Sequence, residues 1–304
     1  MTDVILHHYD LSPFGEKVRL ALGYKNLDWL SVEIAIWPPR PDLAPLTAGF
    51  RRAPVMQIGA DVYCDTLLIL RELDRRFPSP TLYPRGQQGL AQALSWFADT
   101  TMFMSGATLA TSIIGDGIPA EFLEDRIAFM KHDFSRAASL RDLPINRQRV
   151  RAAMTMFADM LKTSPFLLGD APSAADLSAY HPLWFVGKNG GAEAEAMLPF
   201  APLEGWMKRI EALGHGRRKT LSAEEALAAA RHAKPAPTGG VAADEPSGLK
   251  AGAAVGVRTE EAGEPIRGVL VAADTNEIVI RAENARAGAV HVHFPRFGYN
   301  LVAG

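Results

Sequence analysis

The alternation of strand-like and helical runs over residues 4–78 limits the fold more than any other feature of the chain. Gly59 and Ala60 separate the fourth and fifth runs as a hairpin turn would. The resulting β-α-β, loop, β-β-α order predicts a mixed sheet with helices packed on it. The runs are VILHHY, PFGEKVRLALGY, LDWLSVEI, PVMQIG, DVYC and DTLLILRELDRRF.

Residues 86–232 contain no run that predicts a strand. Apolar residues recur there at helical spacing, in runs that Gly and Pro residues separate. We therefore expect a helical bundle. Within it, Ser173 stands three residues before Asp176, the spacing of a helix capping box, which predicts a folding device rather than a site.

The residue pattern changes twice near the C-terminal end. Residues 233–248 are rich in Pro, Gly and Ala without periodicity and are typical of a linker. Residues 249–304 alternate with period two in runs such as EIVIRAE and AVHVHF, which predicts a small β-rich extension of four or five strands. The fold class is thus α/β plus all-α, with a β-rich C-terminal extension.

Composition excludes several classes of protein. With 304 residues and 48% hydrophobic content, the chain is long enough for two cored domains. Because 32 basic residues are balanced by 34 acidic ones, the net charge of the chain predicts neither nucleic-acid nor membrane partners. A single cysteine, no apolar run of membrane-spanning length and no signal-peptide pattern predict a cytoplasmic protein.

Ser12 stands where the first strand-like run meets the first helix. Pro13 suits the first helical position, so Ser12 is expected to cap the helix, a role worth about 1 kcal/mol. The same position offers free amides, a helix dipole and a hydroxyl that can donate to an anion. A hydrogen bond to a charged group is worth roughly 1.5–3 kcal/mol, so a thiol held there would ionise about one to two pKa units lower.

A β-α-β-β-α order that carries Ser-Pro-Phe at its first helix and is followed by an all-helical region resembles the soluble, serine-type glutathione transferases. The stretch SPFGEKVRLAL resembles their first-helix motif, and RRAPVMQIG resembles their loop into the third strand. The resemblance covers residues 4–215. It implies a thioredoxin-like, glutathione-binding domain at residues 1–80 and an all-helical domain at 86–232. The resemblance does not cover the linker at 233–248 or the extension at 249–304, which are predicted from the residue pattern alone.

The resemblance also implies a set of site residues. Ser12 would be the catalytic residue that stabilises the glutathione thiolate. Pro54 would be a cis-proline, Ala53 would pair with the cysteinyl backbone of glutathione, and Arg52 would reach its glycine carboxylate. Asp65 and Thr66 replace the usual Glu or Gln followed by Ser, at the γ-glutamyl end. Because Asp65 is one methylene shorter than Glu, its contact with the ammonium is expected to be weaker.

Other residues have competing interpretations. Tyr9 is an alternative hydroxyl donor, although a tyrosine at a strand end more often packs. Cys64 is either a redox thiol or, as we favour, a small core residue. An apolar second-substrate pocket is predicted from five residues, although the run WFADTTMFM also fits a core. These five are Phe14, Trp37, Phe103, Met104 and Trp184.

A histidine pair in the last region is the one pattern that suggests a metal. His291 and His293 face the same side of a predicted strand. Because no Cys, His or carboxylate cluster stands nearby in the sequence, surface or packing roles are favoured and no metal is predicted.

Three functions fit these observations. The leading hypothesis is an enzyme that activates the glutathione thiol for attack on a small electrophilic or apolar substrate, with glutathione as substrate and no metal. A glutathione-fold binding or scaffold protein with weak or no catalysis is the second. A glutathione-dependent peroxidase or isomerase is the third. The resemblance also implies a homodimer.

Overall fold

The structure is a computed structural model that describes residues 3–259 and 263–304. Contacts divide these residues into two compact units. The first contains the residues up to Gly15, Leu27–Glu72 and those from Arg217 onward, and the second contains Glu16–Asn26 and Leu73–Gly216. Residues 217–232, which the sequence assigns to the helical domain, therefore group with the first unit.

The strands all lie in the first unit. They are β1 Ile5–His8, β2 Asp28–Glu33, β3 Val55–Ile58, β4 Asp61–Cys64, β5 Arg217–Thr220, β6 Ala254–Thr259, β7 Ile266–Ala273, β8 Glu277–Asn284, β9 Gly288–Pro295 and β10 Tyr299–Ala303.

The helices lie in both units. They are α1 Pro13–Tyr24, α2 Ala44–Thr47, α3 Thr66–Arg76, α4 Gln88–Phe97, α5 Phe103–Ile114, α6 Ala120–Met130, α7 Arg136–Met160, α8 Ala174–Met197, α9 Glu204–Glu211 and α10 Ala223–His232. A π-helical turn, Ala98–Met102, joins α4 to α5. Within the described ranges, none of these helices has both the length and the apolar character needed to cross a bilayer.

The N-terminal part of the sheet is thioredoxin-like, as the sequence predicts. β1 pairs in parallel with β2 and antiparallel with β3, and β3 pairs antiparallel with β4. The tight turn between β3 and β4 falls at Gly59 and Ala60, where Gly59 takes a φ of +62° that favours glycine. The predicted hairpin is therefore confirmed.

The β-rich extension is also confirmed, and its strands continue the thioredoxin-like sheet. β9 pairs in parallel with β4, so that the described strands form one sheet in the order β10-β6-β7-β8-β9-β4-β3-β1-β2-β5. Without β9, β4 would be an edge strand with unpaired backbone groups, and β9 provides partners for them. Beside this pairing, the His291 amide donates to the Ala60 carbonyl at 3.0 Å.

One hydrophobic core serves the extension and the N-terminal strands. It joins Phe50 and Val62 to Val292, Phe294 and Tyr299, all of them buried. The ring of Phe294 is fully buried and meets that of Phe50 edge-on at 5.7 Å. The extension is thus held by apolar packing as well as by strand pairing.

The opposite edge of the sheet carries β5, which the sequence pattern does not predict. Its four residues, RRKT, are all exposed and have no apolar alternation. They form a strand because they pair in parallel with β2, with Arg217 also bonded to Asp28 at 2.7 Å. The helix α10 that follows begins with a capping box between Ser222 and Glu225.

The second unit is all-helical. The predicted capping box at the start of α8 is present, with Ser173 and Asp176 satisfying each other's exposed amides. Asp176 also accepts hydrogen bonds from the Trp206 indole and the Leu167 amide, at 2.9 and 2.8 Å. Burial raises the pKa of this carboxyl. Asp176 therefore connects three segments of the helical core.

A buried ionic group lies in the same unit. Lys17 of α1 donates to Asp99 at 2.6 Å, and the other oxygen of Asp99 lies 2.9 Å from His181 of α8. The attraction of Lys17 and His181 outweighs the effect of burial and lowers the pKa of Asp99. The charge of Lys17, which is fully buried, is thereby compensated.

Replacing Phe294 tests whether the extension is part of the main core. We expect Phe294→Ala to lower the free energy of unfolding by about 3–5 kcal/mol, since it removes a fully buried ring. Phe297→Ala, at a ring that is 59% exposed, should change it by no more than about 0.5 kcal/mol. Urea denaturation of both variants makes the comparison, and equal losses would contradict the shared core.

His7 predicts an acid-sensitive step in stability. Burial in β1 lowers its pKa to about 4, although the hydrogen bond to Gln57 opposes this shift. As pH falls, the unfolded chain therefore binds a proton at His7 at a higher pH than the folded protein does. The free energy of unfolding decreases as pH falls from about 6.5 to about 4.

Between pH 7 and pH 5 this loss amounts to about 2 kcal/mol. His7→Asn should remove that part of the loss, whereas His232→Asn, at an exposed histidine, should retain it. Urea unfolding at the two pH values measures both, and the same pH dependence in His7→Asn as in the wild type would refute the assignment.

Candidate functional site

Strand register brings the predicted site residues to one edge of the sheet. His7 near the end of β1 pairs with Val55 at the start of β3, and Val55 pairs with Cys64 at the end of β4. The segments that follow β1, precede β3 and follow β4 therefore all leave the same edge. They carry Ser12, the loop 52–54, and Asp65 with Thr66.

Ser12 is the N-cap of α1, as the sequence predicts. Its hydroxyl oxygen accepts a hydrogen bond from the Gly15 amide at 2.9 Å, and its own amide donates to the Tyr9 carbonyl at 3.0 Å. The residue is only 1% exposed. A hydroxyl that accepts one bond retains its own proton, so Ser12 can still donate to an anion.

Tyr9, the alternative hydroxyl donor, is half-buried, and the Arg40 guanidinium lies 6.0 Å from the centre of its ring. The ring therefore takes part in packing at this strand end. Nearby, the peptide bond between Ala53 and Pro54 is cis, as the resemblance implies.

Asp65 has a defined conformation in the turn between β4 and α3. Its φ of +74° is in the left-handed region, which Asp adopts more readily than most residues. One carboxylate oxygen accepts from the Leu67 amide at 2.9 Å and so satisfies the first turn of α3. Thr66 is the first residue of that helix and is buried.

The second carboxylate oxygen of Asp65 is engaged by the C-terminal extension. The Tyr299 hydroxyl donates to it at 3.1 Å, and Arg52 donates to the Tyr299 oxygen at 3.3 Å. Arg52 also lies 3.7 Å from the same carboxylate oxygen. Two predicted glutathione ligands are thus joined to each other through a tyrosine that no local pattern had singled out.

Tyr299 is held in this position by its surroundings. It is 2% exposed, and its ring packs against Phe50 and Phe294. The guanidinium of Arg52 lies 5.7 Å from the ring centre. Burial, assisted by the negative charge of Asp65, raises the pKa of the phenol well above its usual value. The hydroxyl therefore remains a hydrogen-bond donor at neutral pH.

Cys64 is a core residue rather than a reactive thiol. It is fully buried in the core of the first unit. Burial, together with the neighbouring Asp65 charge, raises the pKa of its thiol well above the usual value. A thiol that stays protonated in an apolar environment is a poor nucleophile, which supports the interpretation favoured from the sequence.

The five residues predicted to line a second-substrate pocket fall in different units. Phe14 and Trp37 belong to the first, and the others to the second. In the second unit the Phe103 ring lies 5.7 Å from the His181 ring, and Trp184 stacks under the Lys188 ammonium at 4.6 Å. All five, including Met104, are half-buried. A shared pocket remains a prediction.

The first unit contains a cavity of about 630 Å³ between α2 and strands β7 and β8. A smaller one of about 320 Å³ lies beside β1, β2 and α10. Neither is lined by Ser12, Asp65 or Arg52. A ligand at the Ser12 edge would therefore bind at a separate place.

The histidine pair has a carboxylate partner that no local sequence pattern indicates. Because β9 pairs with β4, His291 and His293 lie beside Asp61. The only local signal was the alternation in VHVHF, since Asp61 is more than two hundred positions away along the chain.

Comparisons with known proteins agree with this architecture. Residues 6–81 match the family model for the glutathione S-transferase N-terminal domain, and residues 132–209 match that for the C-terminal domain. A crystal structure of a GST-like protein from Pseudomonas syringae is 34% identical, with a TM-score of 0.78 over 100% of both chains. The chain belongs to the glutathione S-transferase family.

Two named relatives of this glutathione S-transferase family member are more distant. FtsZ-localized protein A from Caulobacter vibrioides is 26% identical over 180 residues, which are 57% of this chain and 73% of that protein. Glutathione S-transferase U25 from Arabidopsis thaliana is 30% identical over 106 residues, or 34% of this chain and 48% of that protein. The Pseudomonas structure covers the whole of this chain and so includes the C-terminal extension.

Proposed function

We propose that the edge formed by Ser12, Ala53, Asp65 and Thr66 binds glutathione, and that the Ser12 hydroxyl stabilises the glutathione thiolate for attack on a small electrophile. The supporting observation is the strand register, which brings the ends of β1 and β4 and the start of β3 to one edge. Family membership supports the choice of ligand.

The chemistry that Ser12 would contribute is a hydrogen bond to the sulfur anion. Its oxygen already accepts from the Gly15 amide, which leaves the hydroxyl proton directed elsewhere. Such a bond is worth roughly 1.5–3 kcal/mol and lowers the thiol pKa by about one to two units. The thiolate then forms a carbon–sulfur bond by addition or by displacing a leaving group.

The charges of glutathione match the other groups at this edge. Its γ-glutamyl ammonium suits the Asp65 carboxylate, while its carboxylates suit Arg52 and the amides at the start of α3. Tyr299 competes for two of these groups, because its hydroxyl already bridges Arg52 and Asp65. An ammonium that approaches the same Asp65 oxygen meets that hydroxyl at the carboxylate.

The same bridge favours a second candidate, a protein that retains the fold as a binding or scaffold module without efficient turnover. Both oxygens of Asp65 have partners from this chain, the Leu67 amide and the Tyr299 hydroxyl. The relative named FtsZ-localized protein A is consistent with a role of this kind. The homodimer that the family resemblance implies and the cytoplasmic location that the composition predicts are compatible with either candidate.

Ser12→Ala tests the thiol-activating role. We expect the pKa of bound glutathione to rise by about one to two units, and conjugation of an activated aryl halide to slow by about ten- to a hundredfold at neutral pH. Ser135→Ala is the matched control, because Ser135 also caps a helix, α7, but lies outside the proposed site.

Thiolate absorbance of the bound ligand across a pH series gives the pKa, and calorimetry gives the affinity. Unchanged thiol pKa and rate in Ser12→Ala would exclude the activating role. Failure of wild-type protein to bind glutathione would exclude the proposed ligand and favour the scaffold candidate.

Tyr299→Phe separates the two candidates further. It removes the hydroxyl from Asp65 while retaining the ring between Phe50 and Phe294. If the phenol competes with the glutathione ammonium, affinity should rise about two- to tenfold, because a neutral hydrogen bond is worth about 0.5–1.5 kcal/mol. Calorimetric titration measures the change, and an affinity equal to or below that of the wild type would refute the competition.

A further inference from the structure

Three potential metal ligands meet where the extension joins the thioredoxin-like sheet. In the parallel pairing of β4 with β9, Asp61 is the partner of His291, and Tyr63 is the partner of His293. Side chains two apart on a strand share a face, so both imidazoles project on the side that carries the Asp61 carboxylate. The cluster therefore depends on the tertiary pairing of distant segments.

The ligand atoms are close to coordination distance. One Asp61 oxygen lies 3.1 Å from His293 Nε2 and 3.8 Å from His291 Nδ1. All three ligand atoms lie within 4.8 Å of one another. A tetrahedral zinc ion with bonds of about 2.0–2.1 Å needs ligand atoms about 3.4 Å apart, so small side-chain movements complete the geometry.

The groups around the cluster orient its members as in bound metal sites. The Ala236 amide donates to the other Asp61 oxygen at 2.9 Å. Glu277 lies 3.5 Å from His293 Nδ1, the nitrogen away from Asp61, and Tyr63 stacks on the His293 ring at 4.4 Å. A carboxylate behind a ligating imidazole holds its tautomer and increases its basicity.

Within the described part of the chain, two imidazole nitrogens of the cluster lack a hydrogen bond. One, His293 Nδ1, faces Glu277 at 3.5 Å, and the other, His291 Nδ1, is a potential ligand atom. His291 Nδ1 is buried and, among the residues that the structure describes, has no hydrogen-bond partner, although it faces the Asp61 carboxylate. Buried polar atoms in native proteins nearly always have partners, and an ion or water commonly supplies them. An ion between His291 Nδ1 and the Asp61 carboxylate would supply the missing partner.

We propose that Asp61, His291 and His293 bind a divalent transition-metal ion, with zinc as the best fit. Imidazole ligands favour zinc and its neighbours over magnesium and calcium, which prefer oxygen. Three protein ligands leave a coordination position for water. The ion links β4 to β9 and so holds the C-terminal extension to the sheet, independently of any glutathione chemistry.

Zinc titration of the full chain, without a histidine tag, tests the site. Calorimetry should show one equivalent bound with high affinity, and saturation should raise the melting temperature. His291→Asn should weaken binding at least tenfold, and Glu277→Gln about ten- to a hundredfold. His232→Asn, at an exposed histidine outside the cluster, is the matched control and should bind as the wild type does.

Imidazole NMR of the wild-type protein provides a readout that needs no variant to fold. Zinc should shift the ring-nitrogen signals of His291 and His293 and leave those of the other histidines unchanged. The proposal is overturned if the wild type binds no zinc, if His291→Asn binds as tightly as His232→Asn, or if zinc perturbs histidines outside the cluster instead.

Discussion

The parallel pairing of β4 with β9 is the interaction on which the first unit depends. It covers the backbone edge that the thioredoxin-like strands would otherwise expose and brings β6 to β10 into the same sheet. A single core then forms on both sides of the junction, joining Val62 of β4 to Val292 and Phe294 of β9. The extension is therefore part of this unit's fold rather than a separate module.

This pairing also determines what surrounds Asp65. β4 ends at Cys64, so the turn that holds Asp65 directly follows the strand that receives β9. β10 is the far edge of the same sheet, but the ring of its first residue, Tyr299, packs against Phe50 and against Phe294 of β9, and its hydroxyl reaches the Asp65 carboxylate. A residue that the family resemblance assigns to ligand binding thus has an internal partner, the Tyr299 hydroxyl, on one of its two carboxylate oxygens.

The sequence predicted the elements whose signals are local. Alternation of apolar residues located β1 to β4, the spacing of Ser173 and Asp176 located a helix start, and Pro13 after Ser12 located another. These features depend on near neighbours in the chain, where periodicity and capping chemistry act directly.

Other features depend on contacts between distant segments and left no local signal. β5 has no apolar alternation and forms a strand only because β2 offers it a parallel partner. The links from Tyr299 to Asp65 and from His293 to Asp61 each span more than two hundred residues. Such contacts follow from strand order, which composition and periodicity do not specify.

Native-state hydrogen exchange of the β4 and β9 amides tests the central claim, that the C-terminal strands are integral to the sheet. The His291 amide, bonded to the Ala60 carbonyl, should exchange with the same opening free energy as the amides of β1 and β3. Exchange of the β9 amides at a much lower opening free energy, while β1 and β3 remain protected, would show that the extension opens independently and would contradict the account.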